Sequence, residues 1–385
     1  MAQVKSRRGV SPPLTRPVGG NRVSSVFTDE AALKGILGDL GKAERKIQFE
    51  SFLFSGDHGQ AIADALIARH DEGVQVQVLL DGKAQMLDRE RLVTKLRAAG
   101  VDVRYFDPRS MPGPYAVDHS KLLVIDDQLV WVGGVNFDAE INRDMMTRIE
   151  GPAVRRLQGT FEEGWTNAGG KLLPAAGAIQ SKGDVWVGVS QTGPRERSTR
   201  DQVLSELARV NRGDAVDIWM MDLADAEVLD ALEAAQSRGV KIRALIDLKV
   251  PFASGRSADT LAKAIAGGIP DLPGIRRLQD RGIEVRAYVP PAGIAKLHAK
   301  VWLFTKDAGQ PHESRRVIGG TVNAIKGAYE FNHEVGVLFF GKGVGADVQA
   351  AFREDFTRHS EPIKPLRAWE RLKSNVIELL TNTLI

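Results

Sequence analysis

GVQVQVLLD (residues 73–81) returns 166 residues later as GVKIRALID (residues 239–247), and the flanks of the two stretches match as well. An amphipathic run precedes each, GQAIADALIARHDE at 59–72 and AEVLDALEAAQSR at 226–238. Before those stand apolar, β-prone runs, KIQFESFLF at 46–54 and AVDIWMM at 215–221. Downstream, AAGVDVRYFDP (98–108) pairs with DRGIEVRAYVP (280–290), and each half closes on a helical pattern carrying FEEGW (161–165) or FREDF (352–356). Self-similarity at a long offset marks a duplication. Strand, helix, strand order with continuous apolar strands predicts α/β units whose sheets are covered on both faces. The expected fold is α/β: two tandem homologous α/β/α sandwich domains related by a pseudo-twofold axis. They are expected over 26–175 and 185–360, with the boundary in the Gly-, Ala- and Pro-bearing stretch 167–183.

The ends read differently. Residues 1–25 form a basic, Pro-, Gly- and Ser-rich tail expected to be disordered. Up to residue 28 the chain carries Lys5, Arg7, Arg8, Arg16 and Arg22 and no acid, which leaves the rest of this +3 chain at −2. The folded body is therefore not a broad basic surface, which argues against a protein built to grip long nucleic acid. After Pro365, Leu366, Trp369, Leu372, Val376, Leu379 and Leu380 fall on one face of an expected C-terminal amphipathic helix over 361–385, suited to pack on the body or lie on a membrane surface. The 385 residues include no cysteine, which excludes a disulfide framework, a thiolate metal site and a thiol nucleophile. No apolar run is long enough to span a bilayer, and no signal peptide is read at the N-terminus, so a cytoplasmic protein, peripheral on a membrane at most, is expected.

Seven histidines occur, and two of them share one pattern at equivalent places in the repeat: His119 with Lys121 in DHSKLLVID, and His298 with Lys300 in KLHAKVWLF. On a strand, residues i and i+2 face the same side. A further strand and a glycine turn ending in asparagine follow each, GGVN (133–136) and GTVN (320–323). Glycine lets the backbone approach an anion, and the Asn136 and Asn323 amides can donate to it; Gly134 and Thr321 are the expected substrate-binding positions within these turns. An acid comes next in an Asn-x-acid setting, Asp144 after Asn142-Arg143 and Glu334 after Asn332-His333. Two such sets face to face make one site with two histidines, two lysines, two asparagines and two carboxylates. That inventory fits phosphodiester chemistry without a metal or other cofactor. One neutral imidazole attacks phosphorus and forms a phosphohistidine. The other gives its proton to the leaving alkoxide and then activates the incoming alcohol or water. The lysines and asparagines offset charge on the non-bridging oxygens, and the acids fix the imidazole tautomers. Which acid serves which histidine is left open by sequence. His333, aligned with Arg143, is left out of the set, and Asp81 and Asp247 read equally as loop anchors or site residues.

The pattern H-x-K-x4-D followed by G-(G/S/T)-x-N, present twice in a duplicated α/β chain, resembles the phospholipase D superfamily, over about residues 26–360. The first copy is complete with His119, Lys121, Asp126 and Gly133-Gly134-Val135-Asn136. The second has Thr305 at the aspartate position, with an acid two residues on at Asp307, and 25 residues from His298 to Asn323 where the first has 17. The resemblance implies that the motif aspartate is structural, so Thr305 bears on the second hairpin more than on the reaction. It also implies His119 as nucleophile and His298 as acid/base. By resemblance the expected activity is that of a phosphodiesterase or phosphatidyltransferase on phospholipid head groups, cardiolipin synthase- or phospholipase D-like, at an anionic membrane surface and with no obligate protein partner. The alternative is a metal-independent nuclease of the same superfamily, with nucleic acid as partner; third comes a non-catalytic binding protein.

Overall fold

The computed structural model describes residues 16–84, 87–113, 116–247 and 271–363. The first half runs β1 (Val18–Thr28), α1 (Asp29–Leu40), β2 (Lys46–Ser51), α2 (Gly56–Asp71), β3 (Gln75–Leu80), α3 (Leu87–Ala98), β4 (Asp102–Tyr105), β5 (Leu122–Ile125), β6 (Leu129–Gly133), β7 (Arg143–Glu150) and α4 (Val154–Asn167). The second repeats the plan as β8 (Val185–Thr192), α5 (Thr199–Arg209), β9 (Ala215–Met220), α6 (Ala226–Ser237), β10 (Lys241–Ile246), α7 (Asp271–Asp280), β11 (Glu284–Tyr288), β12 (Lys300–Lys306), β13 (Ser314–Gly320), α8 (Lys326–Glu330), β14 (Glu334–Phe340) and α9 (Ala346–Arg358), then adds a short edge strand β15 (Ser360–Pro362).

Strand order makes the duplication visible. From the centre outward the first half reads β1-β7-β6-β5-β2-β3-β4 and the second β8-β14-β13-β12-β9-β10-β11, so each strand has a twin. The halves meet where β1 pairs antiparallel with β8, through Val18↔Val187 and Asn21↔Val185. Asn21 pins this seam by donating to the Val18 and Val185 carbonyls at 2.7 and 3.0 Å. In each half the strands joined by crossover helices are parallel and the hairpin strands antiparallel. Helices α1–α3 and α5–α7 cover the outer faces of the two halves, packing on separate cores that include Ile36, Leu66 and Phe49 on one side and Leu207, Leu232 and Ile218 on the other. Helices α4 and α9 share a third core between the halves, where Phe161, Trp165 and Phe352 pack with strand residues of both.

One detail differs from expectation. Residues 18–25, expected in the tail, belong to β1, which starts at Val18 and pairs with β7 from Arg22↔Glu150 to Thr28↔Arg143. Ser24 and Ser25, read by composition as part of the tail, lie in a seam strand paired with β7 and β8. The C-terminal helix expected beyond Pro365, and residues 1–15, lie outside the described residues. No helix among the described residues is long and apolar enough to cross a membrane.

Candidate active site

Sheet register brings the two histidine segments together at the pseudo-twofold. His119 and Lys121 lie just before β5, on the extended approach to the strand; His298 lies just before β12, which Lys300 opens. Two reciprocal backbone clasps join the halves. His119 N–H donates to the His333 carbonyl (2.9 Å) and His333 N–H to Val117 O (2.8 Å); His298 N–H donates to Arg143 O (2.8 Å) and Arg143 N–H to Lys296 O (2.9 Å). The residue before each acid, Arg143 or His333, thus locks onto the histidine segment of the opposite half.

The acids follow the same crossing. Glu334, from the second half, lies 3.0 Å from His119 Nδ1, and Asp144, from the first, lies 2.6 Å from His298 Nδ1. An ionised carboxylate only accepts, so each Nδ1 carries the proton and each Nε2 is left without one. Crossing settles the pairing that sequence leaves open, since a strand cannot fold back onto the histidine of its own hairpin when β6 or β13 intervenes. Burial depresses both imidazoles. At His119 Glu334 opposes the fall and Lys121 adds to it; His298 is driven well below the usual range with Lys300 and Lys121 adding to burial. His119 keeps more contact with solvent, its side chain 12% exposed against 6% for His298.

Lys121 and Lys300 each fold back so that Nζ donates to the carbonyl of the histidine two residues earlier, at 2.7 Å for Lys121. Both ammonium groups are buried. Burial, with repulsion from Lys300 partly offset by Glu334, brings Lys121 down to about 7, and burial likewise lowers Lys300 against the pull of Asp144. Such a pair is poised for an anion, whose arrival restores the charged form. Asn136 and Asn323 sit at the ends of their glycine turns, both buried, with side-chain carbonyl oxygens that have no partner among the described residues.

Gly134 and Thr321 are not placed as anion donors. Gly134 N–H is spent on Met145 O (3.0 Å), and Thr321 N–H on Val335 O (3.0 Å), closing the ladder at each turn. Their role is to seat the acids. A Cβ at residue 134 would come within 2.3 Å of Asp144 Oδ1, so the carboxylate needs glycine there, while the Thr321 hydroxyl donates to Glu334 Oε2. Asp81 and Asp247 are anchors: Asp81 accepts from Asp118 N (2.7 Å) and Asp247 from Leu297 N (2.6 Å), the residue before each histidine.

Asp126 caps the loop that leads into β2. It sits at φ +52° and accepts from the backbone N–H groups of Glu44, Arg45 and Lys46, each at 2.8 Å. At the twin site the acid has changed sides. Asp214, equivalent to Arg45, accepts from Asp307 N (3.0 Å) and Asn211 N (2.9 Å). The second hairpin is therefore intact and longer, pairing from Trp302↔Ile318 to Lys306↔Ser314.

Sequence reasoning missed two supporting groups. Asp29, the first residue of α1, accepts from both the backbone and the side-chain amide of Asn142 (2.9 and 3.1 Å), and burial beside Asp144 raises its carboxyl to about 8. Asp144 itself is raised to about 7 by burial, opposed by Lys300. His333 is fully buried, with Nδ1 3.1 Å from Asp118 Oδ1 and 3.2 Å from Glu50 Oε1, and its ring stacks on Phe106. A helix-start aspartate carries no signal of this kind. His333 has an arginine at its aligned position, so the repeat points away from it.

With the geometry in hand, the likeness to known proteins is specific. The family profile described as "Cardiolipin synthase, PLD-like domain" matches residues 36–165 and 207–359. The chain is 26% identical to the major cardiolipin synthase of Bacillus subtilis across 94% of this chain and 75% of that one. It is 27% identical to cardiolipin synthase A of Pseudomonas aeruginosa, across 90% and 69%. Among solved structures, phosphatidylserine synthase of Haemophilus influenzae superposes with a TM-score of 0.66 over 96% of this chain and 95% of that one at 11% identity, which speaks to the fold alone. Both blocks of the family profile contain a complete histidine, lysine and asparagine set of the crossed site, and the chain belongs to the phospholipase D-like cardiolipin synthase family.

Proposed function

We propose that the chain is a phosphatidyltransferase that exchanges the alcohol head group of a phospholipid through a phosphatidyl-histidine intermediate. The observation that carries this is the crossing: two imidazoles, each held by the opposite half's carboxylate, lie within each other's electrostatic reach beside two buried lysines. Each sandwich unit, the first beginning at Val18 and the second over about 185–360, supplies half of that site. The name borne by the similar proteins, cardiolipin synthase, supports a phospholipid as substrate.

In the forward half-reaction His119 Nε2 attacks phosphorus, the bond to the head-group oxygen breaks, and the His298 imidazolium protonates the departing alcohol. Negative charge on the phosphoryl group favours the proton-bearing form of His298, while His119 attacks as the neutral imidazole. In the second half-reaction an acceptor alcohol loses its proton to His298 Nε2 and attacks phosphorus, and the N–P bond breaks. The Asn136 and Asn323 amides donate to the non-bridging oxygens as negative charge builds. Glu334 and Asp144 hold each ring so that Nε2 faces phosphorus. A chain of this kind works on an anionic membrane surface from the aqueous side, with no protein partner needed to complete the site.

The test is incubation with phosphatidylglycerol vesicles in EDTA, products read by mass spectrometry, with His119→Ala as control. Cardiolipin plus glycerol, absent in the variant, is the expected result. Phosphatidic acid without cardiolipin would replace transfer by hydrolysis, and cleavage of DNA with no lipid product would overturn the lipid reading.

A further inference from the structure

The two walls of the cleft are not equivalent. On the first side Phe52 lies edge-on to His119, with ring centroids 5.0 Å apart, and Leu53 follows it, half-buried. Sheet register makes Met221 and Asp222 the twins of these two residues. The backbone agrees: Leu53 O accepts from Phe137 N (3.4 Å) and Asp222 O accepts from Ala324 N (2.9 Å), each the residue after a site asparagine. Asp222 therefore stands beside Asn323 as Leu53 stands beside Asn136.

Asp222 is 7% exposed, and its carboxylate takes no hydrogen bond from the described residues although its oxygens are not sealed from solvent. Lys300 is the cation that acts on it most strongly, and Asp247 is the acid that opposes it; burial, the largest influence, pushes its carboxyl up to about 6. The twin position shows that this backbone accepts a leucine, so the fold does not require a carboxylate here. A carboxylate there repels a phosphoryl oxygen and accepts from a hydroxyl or ammonium. We propose that Asp222 receives the hydrogen-bond-donating end of the head-group alcohol on the His298 side, as a specificity-determining residue that favours polyols over simple alkanols. The apolar Phe52 and Leu53 wall faces the fatty-acyl-bearing part of the donor. This assignment deepens the transfer reading above and rests on it.

The experiment supplies isotopically labelled glycerol and propan-1-ol at equal concentration to phosphatidylglycerol vesicles. Labelled phosphatidylglycerol and phosphatidylpropanol are counted for wild type, Asp222→Leu and Asp222→Asn, with thermal midpoints measured alongside. Wild type is expected to favour glycerol. Asp222→Leu should cut the glycerol-to-propanol ratio about tenfold, the size of one charge-assisted hydrogen bond, and should not lower the midpoint, because no protein hydrogen bond is lost. Asp222→Asn, which keeps an acceptor oxygen, should fall between. An unchanged ratio with transfer intact would overturn the Asp222 assignment alone, as would a lowered midpoint in both variants, which would mark Asp222 as a structural support. Transfer to neither alcohol by wild type would overturn the transfer reading itself.

Discussion

The His119 half and the His298 half match strand for strand, yet they solve the same buried-charge problem with the parts exchanged. At the twin positions 143 and 333 each half sends a cation under the other. Arg143 meets an acid from the inner helix, Asp355 at 2.7 Å, and lies over an aromatic ring from the strand, Trp219. His333 meets its acid from the strand, Glu50, where the second half has Trp219; its ring stacks on Phe106, and the inner helix has Gly164 where the second half has Asp355. The same exchange occurs at the hairpins, where Asp126 caps the loop below it and Asp214, in that loop's twin, caps the hairpin. A duplicated fold thus conserves the existence of a contact more strictly than the side that supplies it.

Crossing makes the largest test asymmetric in a useful way. Asp144→Asn and Glu334→Gln should each slow transfer roughly 10²- to 10⁴-fold with little change in KM, because each frees the ring of the opposite half. Rapid-quench measurement should place the Glu334→Gln defect in formation of the covalent intermediate and the Asp144→Asn defect in proton transfer to and from alcohol. Defects in the same step for both would mean that the two rings do not have separate roles.

The exchanged cations come next. His333→Ala and Arg143→Ala each strand buried carboxylates and should lose about 3–5 kcal/mol of stability by denaturant unfolding at neutral pH. Between about pH 6.5 and 10 only the histidine loss should depend on pH. Burial pulls the His333 imidazole down, but Asp118 and Glu50 outweigh it and lift the folded value to about 10, above about 6.5 in the unfolded chain. The proton's contribution is therefore full below about pH 6.5 and is lost as pH rises towards about 10. The stability gap between wild type and His333→Ala should narrow over that window while the Arg143→Ala gap stays flat. Parallel gaps would contradict a protonated His333.

How much of this was legible follows from the same comparison. The sandwich pairing, the two His-Lys-Asn sets and the acids Asp144 and Glu334 are readable because a duplication repeats them in register. The crossing is not, because it depends on docking two sheets across β1 and β8, which no local pattern encodes. Exchange hides the rest: Thr305 reads as a defect until Asp214 is seen on the other side of the turn, and His333 reads as idle because its twin is an arginine. Gly134 and Thr321 lie in the expected turns, but their N–H groups complete sheet ladders. Asp222 is invisible beside Leu53 until the register is known.

The smallest effect tests that exchange directly. Asp126→Ala leaves three backbone N–H groups without their acceptor and Asp214→Ala leaves two, so each should cost about 1–3 kcal/mol with activity per folded molecule retained. A loss from Asp126→Ala alone would show that Asp214 does not substitute for the motif aspartate.

The central claim, one site with His119 as nucleophile and His298 as its proton partner, is tested most directly by trapping. A His298→Asn variant incubated briefly with phosphatidylglycerol vesicles, digested under alkaline conditions and read by mass spectrometry should carry a phosphatidyl or phosphoryl adduct on the peptide containing His119. The matching His119→Asn variant should carry none. An adduct on His298 in the His119→Asn variant, with His119 unmodified in the other, would contradict the account.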